Sequence, residues 1–572
     1  VISQEISNPA GVRVSPQRGL LFVIVLWAAI YLPGLGAIDL RHEEPRRALP
    51  GLHMLAFGDW LVPRVGAEPY LRKPPLLNWA IALSCKLTGG ATEWAIRLPS
   101  VVATLALAVA IFGIAGPRWL GLRGGLISAI FFLVNFTMIE TGRLAELEAL
   151  YISLTGIALI LWMTSWRNEA GPWQLWLLPA PFLALGMLTK GPTHLIFYYG
   201  IVLPVLIFGK NTRSLLHPAH FSSLIVIVGA LLCWAIPCSL AVSGHYPTGV
   251  WKFWWGQLAS RASAESDEHF RFGVWLLNGP QTLKNYLPWT LLLPLLWRKE
   301  TVTPIATANE PASRDPALFR GARSGMVATT LLMILLPNGS PRYIYPLIVV
   351  PCLLLGRALT VGNGEKLPGT IESVWRQINF ILLAIVSAGV GAAFFFARGK
   401  SDILWMGLDA VLTAGTWMFA LSRNRAIRAS DANLDTASRL TAQVIVSGVI
   451  AAIGVMIFAT VVMPRVDSAN KSRPYEVARI LRSALPAGAT VWVLEWSYRP
   501  FWYYLEPDVR YFAKISELPS NAHYILLPAS QTEKIRRDPF WRGAPPKLLA
   551  QVKDSERKAF DLLVVSTDIP EQ

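Results

Sequence analysis

The chain holds little with which to cross-link itself. Its four cysteines, Cys85, Cys233, Cys238 and Cys352, all lie in apolar stretches, and none falls in the polar C-terminal segment. That argues against a disulfide framework and a cysteine-based metal site. Charge is scarce too: only 15% of residues are Asp, Glu, Lys or Arg, against 53% apolar, too few to clothe several soluble domains. There is no internal repeat, no P-loop and no G-x-G-x-x-G, so an ATP-driven pump has no support. Neither H-E-x-x-H nor G-x-S-x-G occurs, which leaves hydrolase readings weak. The basic residues are scattered among apolar runs and form no aromatic-studded basic face, which argues against nucleic-acid binding.

What the chain does have is lipid-compatible sequence. Apolar residues cluster in runs of about 20, the length a helix needs to cross a bilayer. Candidate spans run over 19–38, 98–116, 122–139, 148–166, 173–188, 192–209, 221–241, 286–298, 324–337, 344–360, 377–397, 402–421 and 440–463. The expected class is therefore a polytopic α-helical membrane protein with about thirteen transmembrane helices, the eighth short. The first run shows no small-residue cleavage pattern and is read as a retained span. The stretch PPLLNWAIALSCKLTG at 74–89 is apolar but short and reads as a helix lying at the interface. The formal net charge of +16 fits a positive-inside excess, a site for phospholipids or lipid phosphates, or both.

Placing the N-terminus inside puts RWLGLR, KNTR, RKE with RGAR, and SRNRAIR on the cytoplasmic side. The outer side then receives 39–97, 140–147, 189–191, 242–285, 338–343 and everything after 464. Residues 1–464 are expected to form the membrane domain, with long outer loops at 39–97 and 242–285. Residues 465–572, where EVARILRSAL, TVWVLEW, HYILLP, SQTEKIRRD and FDLLVV alternate helix-like and strand-like patterns, are expected to form a small extracytoplasmic α/β domain.

Ionisable residues gather on that outer side. The first loop carries Glu43, Glu44, Arg46 and Arg47, with Arg72 and Lys73 before PPLLNW. Glu140, Arg143, Glu146 and Glu148 mark the third-to-fourth junction, and Lys190 lies in LTKGP. Arg261, Glu265, Asp267, Glu268 and His269 occupy the long loop, and Arg342, Tyr343 and Tyr345 lie in SPRYIYP. Each has a plain explanation: carboxylates favoured at helix N-termini, a snorkelling lysine, and arginines pairing with Glu43 and Glu44 at i,i+3 or i,i+4 spacing. Their arrival from six separate junctions on one face suits a cavity in which carboxylates act as bases and cations hold a phosphate. The tryptophans of WKFWWGQ suit stacking on a sugar or anchoring at the interface.

The string HEEPRRALPGLHMLAFGDWLVPRVGAEPYLRKPPLLNWAIAL resembles the first outer loop of GT-C membrane glycosyltransferases, in particular the aminoarabinose transferases of lipid A and the related protein O-mannosyltransferases. RLPS at 97–100, GRLAELEAL at 142–150, LTKGP at 188–192, YLPWTLLLP at 286–294 and PRYIYP at 341–346 follow in family order. The resemblance implies inverting transfer of a sugar from a polyprenyl-phosphate donor, at the periplasmic face of the inner membrane, to a lipid A, glycan or protein acceptor. It places Glu43 and Glu148 at the family's two catalytic acidic positions, where aspartate is usual. Lys73 matches the lysine that contacts the lipid phosphate, with Arg46 and Arg261 as companions and Tyr345 near the same phosphate. Arg342 and Lys190 join this phosphate-binding set, and Glu44, Glu146 and His269 are expected to support it.

Three departures stand out: Arg47 replaces the usual aromatic, Pro50-Gly51 is expected to interrupt a helix, and both catalytic acids are one carbon longer. No cofactor is expected with certainty. A divalent ion held by Glu43, Glu148 and His269 is an open alternative, but their loop spacing supports no ligand motif. Two rival readings use the same residues differently: a transporter or flippase of anionic lipid-linked substrates, and a scaffold whose C-terminal domain is the working part.

Overall fold

The computed structural model describes residues 14–65, 68–244, 249–251, 254–256, 272–298, 314–336, 340–360, 369–394, 399–429, 436–486, 488–494, 499–505, 509–512, 515–519, 522–541, 545–554 and 557–565. The expected sites Arg261 and His269, with Glu265, Asp267 and Glu268, lie outside the described residues. The fold is mostly helical. In chain order the helices are α1 Pro16–Tyr31, α2 Glu44–Phe57, α3 Leu76–Thr88, α4 Glu93–Ala110, α5 Gly121–Leu133, α6 Phe136–Gly142 and α7 Leu147–Arg167. Next come α8 Pro172–Leu177, α9 Ala180–Lys190, α10 Thr193–Phe208, α11 Pro218–Ala241, α12 Phe272–Lys284, α13 Asp315–Leu335 and α14 Val349–Ala358. The last are α15 Gly369–Phe394, α16 Lys400–Ala429, α17 Thr436–Ile457, α18 Met463–Ala469, α19 Pro474–Ser483, α20 Trp502–Leu505 and α21 Thr532–Arg536.

The chain forms two compact units. One comprises Val1–Leu35, Arg72–Leu76 and Ser100–Val462; the other comprises Gly36–Leu71, Leu77–Pro99 and Met463–Gln572.

The first unit is the membrane bundle. Among the described residues, 7 helices are long and apolar enough to cross a bilayer, and four shorter apolar helices accompany them. This is a polytopic membrane protein, but the expected count of thirteen full spans is not reproduced, for physical reasons. The stretch 173–188 breaks into α8 and α9 around Pro179. The stretch 286–298 becomes a 3-10 helix at Trp289–Trp297, only about 18 Å long at ~2 Å per residue, against a hydrocarbon core of about 30 Å. The stretch 344–360 divides into a 3-10 turn, Pro341–Leu347, and the ten-residue α14. Conversely, the long helical run Glu93–Leu133 counts as one apolar segment but holds two of the expected spans. A π-helical segment, Ile111–Leu120, ends at Gly121, whose φ of 74° suits glycine. α5 then packs back so closely that a Cβ on Gly125 would lie 2.6 Å from the Gly116 Cα.

α7 is the central helix, buried on nearly every side. Around it small residues let backbones meet: a Cβ on Gly325 would collide with the Gly200 carbonyl, and one on Gly321 with the Val205 backbone, so α10 and α13 cross in contact. At the periphery α15 and α16 expose Ile381 (60%), Ile385 (61%), Leu404 (74%) and Val411 (69%), an apolar surface suited to lipid. At the C-terminal end of α7, Arg167 Nε meets Asp315 Oδ1 at 2.7 Å, and Arg357 Nη2 meets Asp315 Oδ2 at 3.4 Å. Arg357 also donates to the Trp119 carbonyl at 3.2 Å, and Arg167 to the Arg118 carbonyl. The carboxylate begins α13 while the arginines end α7 and α14, so each charge complements its helix dipole.

The second unit joins the loop that follows α1 to the C-terminal segment. Its sheet has the order β4-β3-β5-β7-β6, with β3 Val491–Leu494, β4 Val509–Phe512, β5 Tyr524–Pro528, β6 Lys547–Lys553 and β7 Ala559–Val564. β3 runs parallel to β4 and β5, whereas β7 is antiparallel to β5 and β6. The three central strands are the runs legible in the sequence. The two missed, VRYF and KLLAQVK, are edge strands, where charged side chains replace apolar alternation. Leu494, Ile525, Leu527, Trp541 and Leu563 form the core of this unit.

The short hairpin of β1 (Arg64–Val65) and β2 (Glu68–Pro69) follows α2. α2 itself corrects an expectation. It continues through Pro50 and Gly51, and Gly51 permits a close crossing with α3, since a Cβ there would lie 2.7 Å from the Asn78 carbonyl oxygen.

Replacing Asp315 by Ala would leave two guanidinium groups buried without their carboxylate. The expected loss is about 3–5 kcal/mol of stability, measured as a fall in thermal unfolding temperature of the detergent-purified protein. An unchanged transition would show that the cluster is not holding the helix ends.

Candidate active site

In the bundle, the expected residues assemble at the N-terminal end of α7. Glu146 is its N-cap residue and Glu148 lies in its first turn, where the helix dipole favours negative charge. The α9–α10 turn brings Lys190 Nζ to 3.4 Å from Glu148 Oε1. Its position is fixed further by Tyr151, whose ring lies 5.0 Å from Lys190 Nζ and whose hydroxyl is 2.8 Å from Thr193 Oγ1. The 3-10 turn at Pro341–Leu347 brings Arg342 Nη2 to 3.4 Å from Glu146 Oε2. Burial opposes the charge on Arg342, but Glu146 and Glu148, with the hydrogen-bonded Tyr345, outweigh it and hold the guanidinium pKa above its ordinary value. Arg143 donates to the carbonyls of Ile30 and Pro33, each at 2.5 Å, and so ties the end of α6 to the end of α1.

These pairs are open. The Arg342 side chain is 55% exposed and Lys190 20%, with N–O distances of 3.4 Å against 2.7 Å in the buried Glu44–Arg97 and Asp315–Arg167 pairs. Cations held this loosely can turn toward an incoming phosphate at modest cost. Lys73, in the short Arg72–Leu76 segment that belongs to the bundle, is half-buried in the bend before α3.

In the second unit, the first-loop charges separate into two kinds. Glu43 takes Arg46 Nη1 on both oxygens, at 2.9 and 3.0 Å, and Arg47 Nη2 at 3.2 Å. Its side chain is 38% exposed. Glu44 is fully buried and bidentate with Arg97, at 2.7 and 2.8 Å, and it also accepts from the Arg41 N–H. Arg97 donates in addition to the Ile38 and Asp39 carbonyls, so the Glu44–Arg97 pair sets the path of the loop. Arg47, unexplained by sequence, bridges Glu43 to the Tyr70 hydroxyl at 2.5 Å.

C-terminal residues complete this body. Asp39 accepts the Tyr475 N–H at 2.8 Å, and the Tyr504 hydroxyl links the Leu40 N–H (2.7 Å) to Glu93 (2.9 Å). Burial raises the pKa of the Asp39 carboxyl, against the opposing Tyr475 N–H. It also raises that of the Tyr504 phenol, which therefore stays a donor.

Three residues that sequence reasoning left without a role thus prove important. Arg97 sat in RLPS, which was legible as a motif but not as a partner. Tyr151 stands three residues after Glu148, on the same helical face. Tyr70 had no signal beyond PY. Among the described residues, no group of three or more His, Cys, Asp or Glu side chains is placed to hold a metal ion.

Comparison with known proteins agrees with this architecture. The family model "Dolichyl-phosphate-mannose-protein mannosyltransferase" matches residues 72–237. An undecaprenyl phosphate-α-4-amino-4-deoxy-L-arabinose arabinosyl transferase of Yersinia enterocolitica is 25% identical over 71% of this chain and 72% of that protein. Its counterpart in Edwardsiella ictaluri is 29% identical over 65% of this chain and 64% of that one. The solved structures of ArnT from Cupriavidus metallidurans, apo and bound to undecaprenyl phosphate, superpose with TM-scores of 0.66 and 0.65 at 16% and 17% identity. Each alignment covers 98% of this chain and 100% of the other. The chain has their GT-C fold.

The two acids of the first loop should part company on mutation. Glu44→Gln is expected to cost about 3 kcal/mol or more by unpairing buried Arg97, whereas Glu43→Gln should cost no more than about 1 kcal/mol. Thermal unfolding of both variants tests this, and equal losses would refute the division.

Proposed function

We propose that this chain, a polytopic membrane protein of GT-C fold that resembles the aminoarabinose transferases of lipid A in sequence, is an inverting glycosyltransferase. It would move a sugar from a polyprenyl-phosphate donor to a lipid A, glycan or protein acceptor at the periplasmic face. The observation that carries this reading is the pairing of two carboxylates with Lys190 and Arg342 at the N-terminus of α7. It lies within a fold shared with a transferase solved with undecaprenyl phosphate bound. Between 57% and 72% of the length of several arabinosyl transferase relatives is matched by this chain, so the sugar and acceptor are proposals at the level of chemical class.

The chemistry follows from the charges. The acceptor oxygen attacks the anomeric carbon from the face opposite the phosphate. The anomeric C–O bond to the phosphate breaks, and the polyprenyl phosphate leaves with its bonding pair, inverting the configuration. Negative charge grows on the leaving phosphate, and Lys73, Lys190 and Arg342, with Arg46, Arg261 and the Tyr345 hydroxyl, are assigned to stabilise it. Glu43 orients or deprotonates a hydroxyl acceptor, and for an already ionised phosphate acceptor it positions groups instead. Glu148 holds Lys190 in place and is the second catalytic acid; Glu146 does the same for Arg342. Glu44 supports the loop through Arg97, and His269 is assigned only a supporting role.

Purified Glu43→Gln, Lys73→Ala and Lys190→Ala variants, assayed with a lipid-linked sugar donor, are each expected to lose at least about 10²-fold in turnover. Turnover near the unmodified level in both Glu43→Gln and Lys73→Ala would overturn the assignment. Mass spectrometry of envelope lipids and glycoproteins from cells with and without the gene identifies the acceptor.

A further inference from the structure

Away from the α7 cluster, a small, partly open crevice lies between the three helices α15, α16 and α17. Arg376, Asn379, Phe380 and Leu383 line it from α15, Phe419 and Ala420 from α16, and Ala442, Gln443 and Val446 from α17. Its back wall is a completed polar network. Asn379 Nδ2 donates to the Gln443 carbonyl (2.8 Å) and side-chain oxygen (3.1 Å), Ser447 Oγ donates to Asn379 Oδ1 (2.6 Å), and Trp375 Nε1 donates to Ser447 Oγ (2.8 Å). That network uses the oxygen of the Gln443 amide and leaves its two N–H donors without a partner among the described residues.

Arg376 likewise makes no ion pair with any described residue. Glu372, one turn earlier on α15, pairs instead with Arg439 at 3.7 Å. The cleft therefore presents a guanidinium and an amide N–H₂ with no acceptor supplied by the described chain. Such a set matches a phosphate diester better than a sugar or a cation.

The location names the source of that phosphate. α14 starts beside the 3-10 turn of the α7 cluster and α15 follows its far end, so Arg376 near the start of α15 lies on the side where α7 ends. That side carries the basic stretches RWLGLR, at the start of α5, and KNTR, after α10, and the SRNRAIR end of α16, just beyond Phe419 and Ala420. From the cleft, an exposed apolar stripe runs along α15 through Ile378 (46%), Ile381 (60%) and Ile385 (61%). Another runs along α16 through Met418 (67%), Val411 (69%) and Leu404 (74%). A cationic head site at one end of two lipid-facing stripes is the shape of a phospholipid, not of a free ion.

We propose that the α15–α17 cleft is a binding site for an anionic phospholipid of the cytoplasmic leaflet, with Arg376 and the Gln443 amide holding the headgroup phosphate and the α15 and α16 stripes carrying the acyl chains. The site is separate from the proposed transfer chemistry and does not depend on it.

Native mass spectrometry of the delipidated full chain, titrated with phosphatidylglycerol, phosphatidylcholine or inorganic phosphate, tests it. Phosphatidylglycerol should bind about fivefold more tightly than phosphatidylcholine, the preference expected from about one basic contact. Arg376→Ala should abolish that preference, Arg376→Lys should keep most of it, and Gln443→Leu should weaken it while preserving charge. Equal binding of the two lipids, or an undiminished preference in Arg376→Ala, would overturn the proposal. Inorganic phosphate binding as tightly as phosphatidylglycerol would overturn the lipid assignment. If Arg376→Ala does not give monodisperse protein, the Gln443→Leu titration decides, and an unchanged preference there counts against the site.

Discussion

A charge drawn out of water costs several kcal/mol unless a partner and hydrogen bonds replace the hydration it lost, and this chain meets that cost at the ends of its helices. Asp315 opens α13 while Arg167 and Arg357 close α7 and α14, so carboxylate and guanidinium groups each sit against the favourable end of a helix dipole. Glu146 and Glu148 follow the same rule at the opposite end of α7. With these charges at helix ends, α10 and α13 pack through small residues, as in the contact of Gly200 with Gly325.

The same constraint separates pairs that hold the fold from pairs that can do chemistry. Glu44–Arg97 and Asp315–Arg167 are no more than 4% exposed and closed at 2.7 Å. Glu148–Lys190 and Glu146–Arg342 stand at 3.4 Å, each with one cation 20% or more exposed. Opening a closed pair strands a buried charge, whereas an open pair exchanges its partner for a fraction of that cost. That criterion supports the proposal of a phosphate site at the N-terminal end of α7, whereas the C-terminal end of α7 is a clamp.

The loop that follows α1 gains its order from sequence hundreds of residues away. Asp39 and Leu40 are held by Tyr475 and Tyr504, and Tyr504 reaches on to Glu93. Each bond satisfies a backbone or carboxylate group that a loop of this length would otherwise leave to water. The loop and the C-terminal α/β segment are thus parts of one body, which gives the C-terminal segment a structural purpose alongside its own sheet.

Runs of apolar residues sufficed to determine a polytopic helical membrane protein, because spanning lipid imposes length and hydropathy on each helix separately. Local alternation likewise revealed β3, β5 and β7, and charge clustering picked out Glu148, Lys190 and Arg342. Three matters were decided only by tertiary structure. The polar edge strands β4 and β6 have no local signal of burial. The passage of α2 through Pro50 depends on the crossing of Gly51 with α3. The different fates of the adjacent Glu43 and Glu44 depend on Arg97, more than fifty residues away. In each case the deciding partner is distant in sequence, and a burial or pairing energy exists only once that partner arrives.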